Sequence, residues 1–189
     1  MGLSLVRRLC YLDYKIGAYD KNFEKLEPLK KISNIKLNQN ASEISKNNDI
    51  IILCLDKTES VKEVVFGKDG IVNNANNNTI ILDLSTTLAN ETIEFANQLK
   101  KTGASWIDAP VSGGPDKALE SNLAIMVGGD EKVVETVKPI LEAISSKFTY
   151  FGVSGSGQIV KMINQIIVLN NYTCLLYTSD AADEPSCVD

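Results

Sequence analysis

Residues 49–55 read DIIILCL, one acid followed by an unbroken apolar run. A strand with one wet face alternates apolar and polar residues, whereas a strand covered on both faces stays apolar throughout. This run therefore predicts a strand in the interior of a parallel sheet. Residues 79–84, TIILDL, repeat the pattern and end in Ser85-Thr86-Thr87. Between the two runs, Thr58–Phe66 has helical spacing, GKDG (67–70) makes a turn, and NNANNN (73–78) reads as a solvated loop because Asn favours turns. Downstream, Leu88–Lys101 predicts a helix with Ile93, Ala96 and Leu99 on one face and Gly103 just past its end. Ser105–Asp108, Leu123–Val127 and Phe148–Phe151 predict further strands, and Glu131–Ser145 an amphipathic helix. Strands alternating with helices at this spacing predict a doubly wound α/β sheet, whose ligands bind outside the strands' carboxyl ends. Asp20, Leu55-Asp56, Thr86 and the segment after Asp108 fall at such ends.

Upstream of the deciding run, Leu3, Leu5, Val6, Leu9, Cys10 and Leu12 follow the period of an amphipathic helix that begins just after Gly2. YKIGAYD (Tyr14–Asp20) reads as a short strand closed by an acid. In a dinucleotide-binding βαβ unit, an acid about twenty residues beyond the glycines holds the ribose hydroxyls. Gly2 and Asp20 match the last glycine and that acid. Lys21–Gln39 is polar and Lys-rich, predicting a short helix and a loop, and Ala41–Asn47 predicts another short helix.

Composition narrows the function classes. The chain has 189 residues, 44% hydrophobic and 23% charged, with a net charge of −5. That is ordinary globular composition, and no basic patch points to nucleic acid. No apolar run is expected to reach membrane-span length, and no signal-peptide pattern opens the chain. The Cys residues at 10, 54, 174 and 187 lack metal-ligand spacing and there is no His, so no metal site is expected. Cys10 and Cys54 lie in apolar runs and predict core thiols in a reducing cytoplasm. Without His, acid–base work falls to Lys, Asp or Glu.

Two stretches carry chemistry. In GVSGSGQIVKMINQ (152–165), small-residue turns lead into a helix on which Lys161, Asn164 and Gln165 share one stripe, at i, i+3 and i+4. Ile159, Val160, Met162, Ile163, Ile166 and Ile167 make the other faces apolar, which predicts a buried helix. Burial lowers a lysine's pKa and suits it to proton transfer; a partly exposed helix would instead let the Lys reach water along its stem. In DAPVSGG (108–114), Ser112-Gly113-Gly114 reads either as a plain glycine turn or as a loop whose hydroxyl and N–H groups wrap a carboxylate.

Taken together, DAPVSGG at 108–114, NLAIMVGG at 122–129 and GxGxxxKxxNQ at 155–165 resemble the β-hydroxyacid dehydrogenase family. That family includes 3-hydroxyisobutyrate dehydrogenases, tartronate semialdehyde reductases and 6-phosphogluconate dehydrogenases. The resemblance spans residues 2–173. It implies a Rossmann-type dinucleotide-binding domain (1–151), a helix carrying a catalytic lysine (152–173), and an all-helical domain that supports dimers. It also implies NAD or NADP as cofactor and a small hydroxy acid as substrate. Lys161 matches the catalytic lysine, with Asn164 after it. Ser112, Gly113 and Gly114 match the substrate-carboxylate loop. Leu55, followed by Asp56 where the family often has Pro, matches the start of a cofactor-contacting pair, and Thr86 a further cofactor contact. The 6-phosphogluconate branch typically has His where this chain has Asn164, and Gln165 is similar to the tartronate semialdehyde reductases. Asp20 favours NAD, since a carboxylate repels a 2′-phosphate, while Lys21 beside it keeps NADP open. The alternative is a non-catalytic nucleotide-binding fragment of such an enzyme.

Measured against the family, both ends look cut. The first strand with its opening glycines is absent, so the sheet is expected to lack its central strand, and the helical domain is absent too. After Thr173 the pattern changes to CLLYTSDAADEPSCVD. The codons TGT CTC TTA TAC ACA TCT of a transposon sequencing adapter encode Cys-Leu-Leu-Tyr-Thr-Ser, and DAADE fits the bases that follow. Cys174–Asp189 is therefore expected to be a translated adapter rather than protein sequence.

Overall fold

Every predicted buried strand pairs with another of its kind in the computed structural model, which describes residues 1–182. The chain runs α1 (Gly2–Tyr11), β1 (Ile16–Ala18), β2 (Ile35–Leu37), α2 (Ala41–Asn47), β3 (Ile50–Leu53), α3 (Thr58–Phe66), β4 (Ile80–Asp83), α4 (Ala89–Leu99) and β5 (Ser105–Asp108). It continues through β6 (Val111–Ser112), α5 (Gly114–Leu119), β7 (Leu123–Val127), α6 (Glu131–Ile144), β8 (Ser145–Tyr150) and α7 (Ser156–Ala182). β3, β4 and β5 form a parallel sheet in that order, with Ile51 beside Ile81 and Ile81 beside Trp106. β1 and β2 form a parallel pair of their own. β6, β7 and β8 form a third sheet, antiparallel then parallel, joined to β5 by a bridge between Asp108 and Gly128.

The double winding follows from the unbroken apolar runs. Successive side chains of a strand point to opposite faces. Leu82 and Ile107 face one core with Leu5, Leu9, Val134, Val137 and Leu141 of α1 and α6. Their neighbours Ile81 and Trp106 face a second core with Val61, Val65, Phe95 and Leu99 of α3 and α4. Neither face is wet, so both are mainly apolar, with the buried Asp83 and Asp108 at the carboxyl ends of β4 and β5 as exceptions. α2 starts on a side-chain cap: Asn40 accepts from the Glu43 N–H at 2.8 Å, and Glu43 reaches back to accept from the Gln39 N–H at 2.8 Å.

Four expectations are corrected. Lys21–Gln39 holds a short 3-10 helix, Phe23–Leu29, as well as the strand β2, which the sequence reading missed. Residues 111–114, read as a glycine turn or a loop, form the strand β6 and the start of α5. The apolar faces of α7 are not buried: Ile163 is 50% exposed and Ile167 56% exposed, while Lys161 is 6% exposed. Finally, Ser156–Tyr177 is long and apolar enough to cross a membrane by length and composition, which the sequence reading did not anticipate. α7 packs on β5, β7 and α4. It runs unbroken through Cys174 to Ala182, and the rest of the expected adapter tail, residues 183–189, lies outside the described residues.

Candidate active site at the carboxyl ends of the strands

Asp108 ends β5, fully buried, and it anchors α7. One carboxylate oxygen accepts the Gly155 N–H at 2.8 Å and the Ser154 hydroxyl at 3.4 Å, and the other accepts the Gln158 N–H at 3.3 Å. Unpaired first-turn N–H groups need such an acceptor. Burial pushes the Asp108 carboxyl above its ordinary range, and the backbone N–H groups of Gly155, Gln158 and Gly157 pull it part of the way back. The helix can come this close because Gly157 has no side chain: a Cβ there would stand 2.4 Å from the Met126 carbonyl oxygen and 2.8 Å from an Asp108 carboxylate oxygen.

The close approach buries one stripe of α7: Gly157, Gln158 and Lys161. Gln158 is 3% exposed. Its carbonyl oxygen accepts the Thr87 N–H at 3.1 Å and its amide donates to the Ser85 carbonyl at 2.9 Å. One turn on, the Lys161 amine donates to the Gln165 carbonyl oxygen at 2.7 Å, and the Asn164 amide donates to the same oxygen at 3.4 Å. The structure therefore brings together Lys161, Asn164 and Gln165 as the sequence predicts. Among the described residues Lys161 is in no ion pair. Burial pushes its pKa down from the ordinary lysine value.

The ends of β3 and β4 are tied into one shelf. The Leu55 N–H donates to the Ser85 hydroxyl at 3.0 Å, the Ser85 N–H donates to Asp83 at 3.0 Å, and the Leu88 N–H donates to the Thr58 hydroxyl at 3.1 Å. Ser85 and Thr87 are buried, and Thr86 between them is exposed. Asp56, at the open edge of the shelf, is held below its ordinary pKa by the Ser60 hydroxyl, which donates to it at 2.7 Å. Asp20, after β1, accepts the Asn22 N–H at 2.9 Å, and Lys21 is paired with Glu63 at 3.0 Å. α1 begins at Gly2 with no side-chain cap.

Ser112 closes β6, and Gly113 and Gly114 turn the chain into α5, which packs on α1 and β7. Gly113 and Gly114 have φ of 140° and 84°, a conformation closed to most side chains. The residues that sequence reasoning missed are Asp83, Ser85, Asp108 and Gln158. A signal existed for Gln158, which precedes Lys161 by three positions and so shares its stripe.

Comparison with known proteins agrees with this architecture. The family described as the NAD binding domain of 6-phosphogluconate dehydrogenase matches residues 1–152. The chain is 40% identical to the 2-hydroxy-3-oxopropionate reductase of Escherichia coli (strain K12) over 151 residues, 78% of this chain and 52% of that protein. It is 30% identical to the mitochondrial 3-hydroxyisobutyrate dehydrogenase of Mus musculus over 168 residues, 89% of this chain and 50% of that protein. A crystal structure of an oxidoreductase from Mycobacterium avium 104 superposes with a TM-score of 0.90 at 26% identity, covering 97% of this chain and 64% of that one. The chain thus spans about half the length of the curated relatives it matches. With its Rossmann-like parallel sheets, its carboxyl-end cluster and a match over residues 1–152, the chain belongs to the family whose shared part is the NAD binding domain of 6-phosphogluconate dehydrogenase.

Proposed function

We propose that this chain is the dinucleotide-binding part of an oxidoreductase acting on a small 3-hydroxy acid or its semialdehyde, of the 3-hydroxyisobutyrate or tartronate semialdehyde type. The observation that carries the reading is Lys161, a lysine 6% exposed on the stripe of α7 that packs against the carboxyl ends of the strands. A nicotinamide dinucleotide, when bound, supplies or accepts the hydride.

The residues present fit such a cofactor, because the exposed Thr86 stands between Ser85 and Thr87, which the Leu55 N–H and the Gln158 carboxamide hold in place. Thr86, Leu55 and Asp56 would line it, Gly2 would let it approach the start of α1, and Asp20 would hold ribose hydroxyls. Asp20 disfavours a 2′-phosphate, and Lys21 is engaged by Glu63, so NAD is favoured over NADP. Ser112, Gly113 and Gly114 would hold the substrate carboxylate, and Asn164 and Gln165 would orient the carbinol. Lys161 would give a proton to the oxygen as negative charge develops there, and take it back in the reverse direction. A lowered pKa serves both directions, since the amine exchanges its proton nearer neutral pH. The compartment in this reading is the cytoplasm, with the Cys10 and Cys54 thiols free, and the full-length protein assembles as a homo-oligomer.

A second reading, a dinucleotide-binding fragment without turnover, is favoured by the uncovered apolar side of α7. One experiment separates the two. Residues 1–173 are joined to the remaining length of the E. coli relative and assayed with tartronate semialdehyde and NADH, then with 3-hydroxyisobutyrate and NAD. Turnover is expected, and Lys161→Ala should cut it by at least about a hundredfold, the scale of a general acid–base. Near-normal turnover in that variant would remove Lys161 from the chemistry. Calorimetric NADH binding without turnover would establish the second reading.

A further inference from the structure

Lys161 lies one helical turn beyond Gln158, and Gln158 is the residue through which α7 meets the shelf. Both ends of its carboxamide are used, and in only one orientation. Rotating the amide would face its N–H₂ against the Thr87 N–H and its oxygen against the Ser85 carbonyl. Through Ser85, the same contact reaches Leu55. A carboxamide with only 3% exposure, bonded at both ends to backbone, leaves the loop and the helix no independent motion without breaking buried hydrogen bonds. We propose that Gln158 is a positioning residue: it holds the Lys161 turn of α7 to the Ser85–Thr87 loop, so that the loop presenting Thr86 sets the place of the amine. Its consequence for turnover rests on the dehydrogenase reading; the positioning itself does not.

The test uses the 189-residue chain with Gln158→Met and Gln158→Glu. Met keeps the side chain's length and loses both hydrogen bonds. The readouts are hydrogen exchange of the Thr87 amide and the rate of acylation of the Lys161 amine, each compared with wild type at the same pH. Gln158→Met should speed both by about tenfold, the scale of losing a buried hydrogen-bond pair, while the core amide of Ile107 is unchanged. Gln158→Glu gives a rescue that a mere space-filling role cannot. When protonated, the carboxyl donates through O–H to the Ser85 carbonyl and accepts from the Thr87 N–H, restoring wild-type rates. When ionised, it turns an acceptor toward that carbonyl, and the rates rise. Asp108, which accepts the Gln158 N–H, Asp83, which accepts the N–H of Ser85, and Lys161 one turn along α7 are titratable groups common to the variants and wild type.

Wild-type rates in Gln158→Met, or a pH-independent Gln158→Glu, would overturn the proposal. If the Met variant fails to fold, the Glu variant across pH decides. The two readings fail separately: absence of turnover in the protein joined to the E. coli relative counts against the dehydrogenase reading, while the exchange comparison on this chain settles the role of Gln158.

Discussion

Asp83→Asn should make the protein more stable above neutral pH and abolish most of its loss of stability between about pH 4 and pH 7. Asp83 ends β4 with no exposure, one oxygen accepting the Ser85 N–H and the other without a hydrogen-bond partner. Burial pushes its carboxyl up to about 7; the Ser85 bonds oppose that rise, and the neighbouring Asp108 adds to it. Between the unfolded pKa of about 4 and this native value, the native state holds a proton that the unfolded state has released. The contribution is therefore fully present below about pH 4 and is lost as pH rises through about 7. A rise from about 4 to about 7 corresponds to on the order of 4 kcal/mol. Asn keeps the acceptor for Ser85 and stays neutral at every pH. Urea unfolding from pH 4 to pH 8 should show a steep fall for wild type and a shallower one for the variant, the remainder coming from Asp108. Equal slopes would mean that Asp83 is ionised in the native state.

Gly157→Ala should lift the start of α7 from the sheet. The added Cβ would meet the Met126 carbonyl oxygen at 2.4 Å, with an Asp108 carboxylate oxygen at 2.8 Å and the Asp108 carbonyl oxygen at 2.9 Å. Two of those atoms are backbone in strands β5 and β7, which cannot rotate away. Overpacking against fixed atoms costs about 3 kcal/mol, and here it also strains the bonds from Gly155 and Gln158 to Asp108. The expected result is a fall in denaturation midpoint together with faster acylation of Lys161, because the buried stripe opens. Ser156→Ala, one residue away on α7, should stay within about 0.5 kcal/mol of wild type. A Gly157→Ala variant as stable as wild type would show that α7 can sit farther from the sheet than it does.

Sequence alone determined the elements whose signal is local. Ile50–Leu55 is apolar throughout, and Ile80–Leu84 is broken only by Asp83, because both faces of β3 and β4 are covered, and such a run has few other solutions. α3 and α6 carry the helical period outright. The stripe of Lys161, Asn164 and Gln165 was legible for the same reason, since i, i+3 and i+4 share a face of any helix. Short elements were not legible. β2 has three residues and β6 two, too few for a period, and each is a strand only because a partner strand lies beside it.

Tertiary structure decided which face of α7 is buried, and it reversed the expectation from hydrophobicity. The apolar side, Met162, Ile163 and Ile167, stands exposed, while Gln158 and Lys161 are buried. Hydrogen bonds to Asp108, Ser85 and Thr87 compensate for burying polar groups, and Gly157 removes the side chain that would hold the helix away. None of those partners is near α7 in sequence; Ser85 lies 73 positions from Gln158. A sequence pattern shows which residues share a face, but only the approach of distant backbone atoms determines whether that face is turned inward.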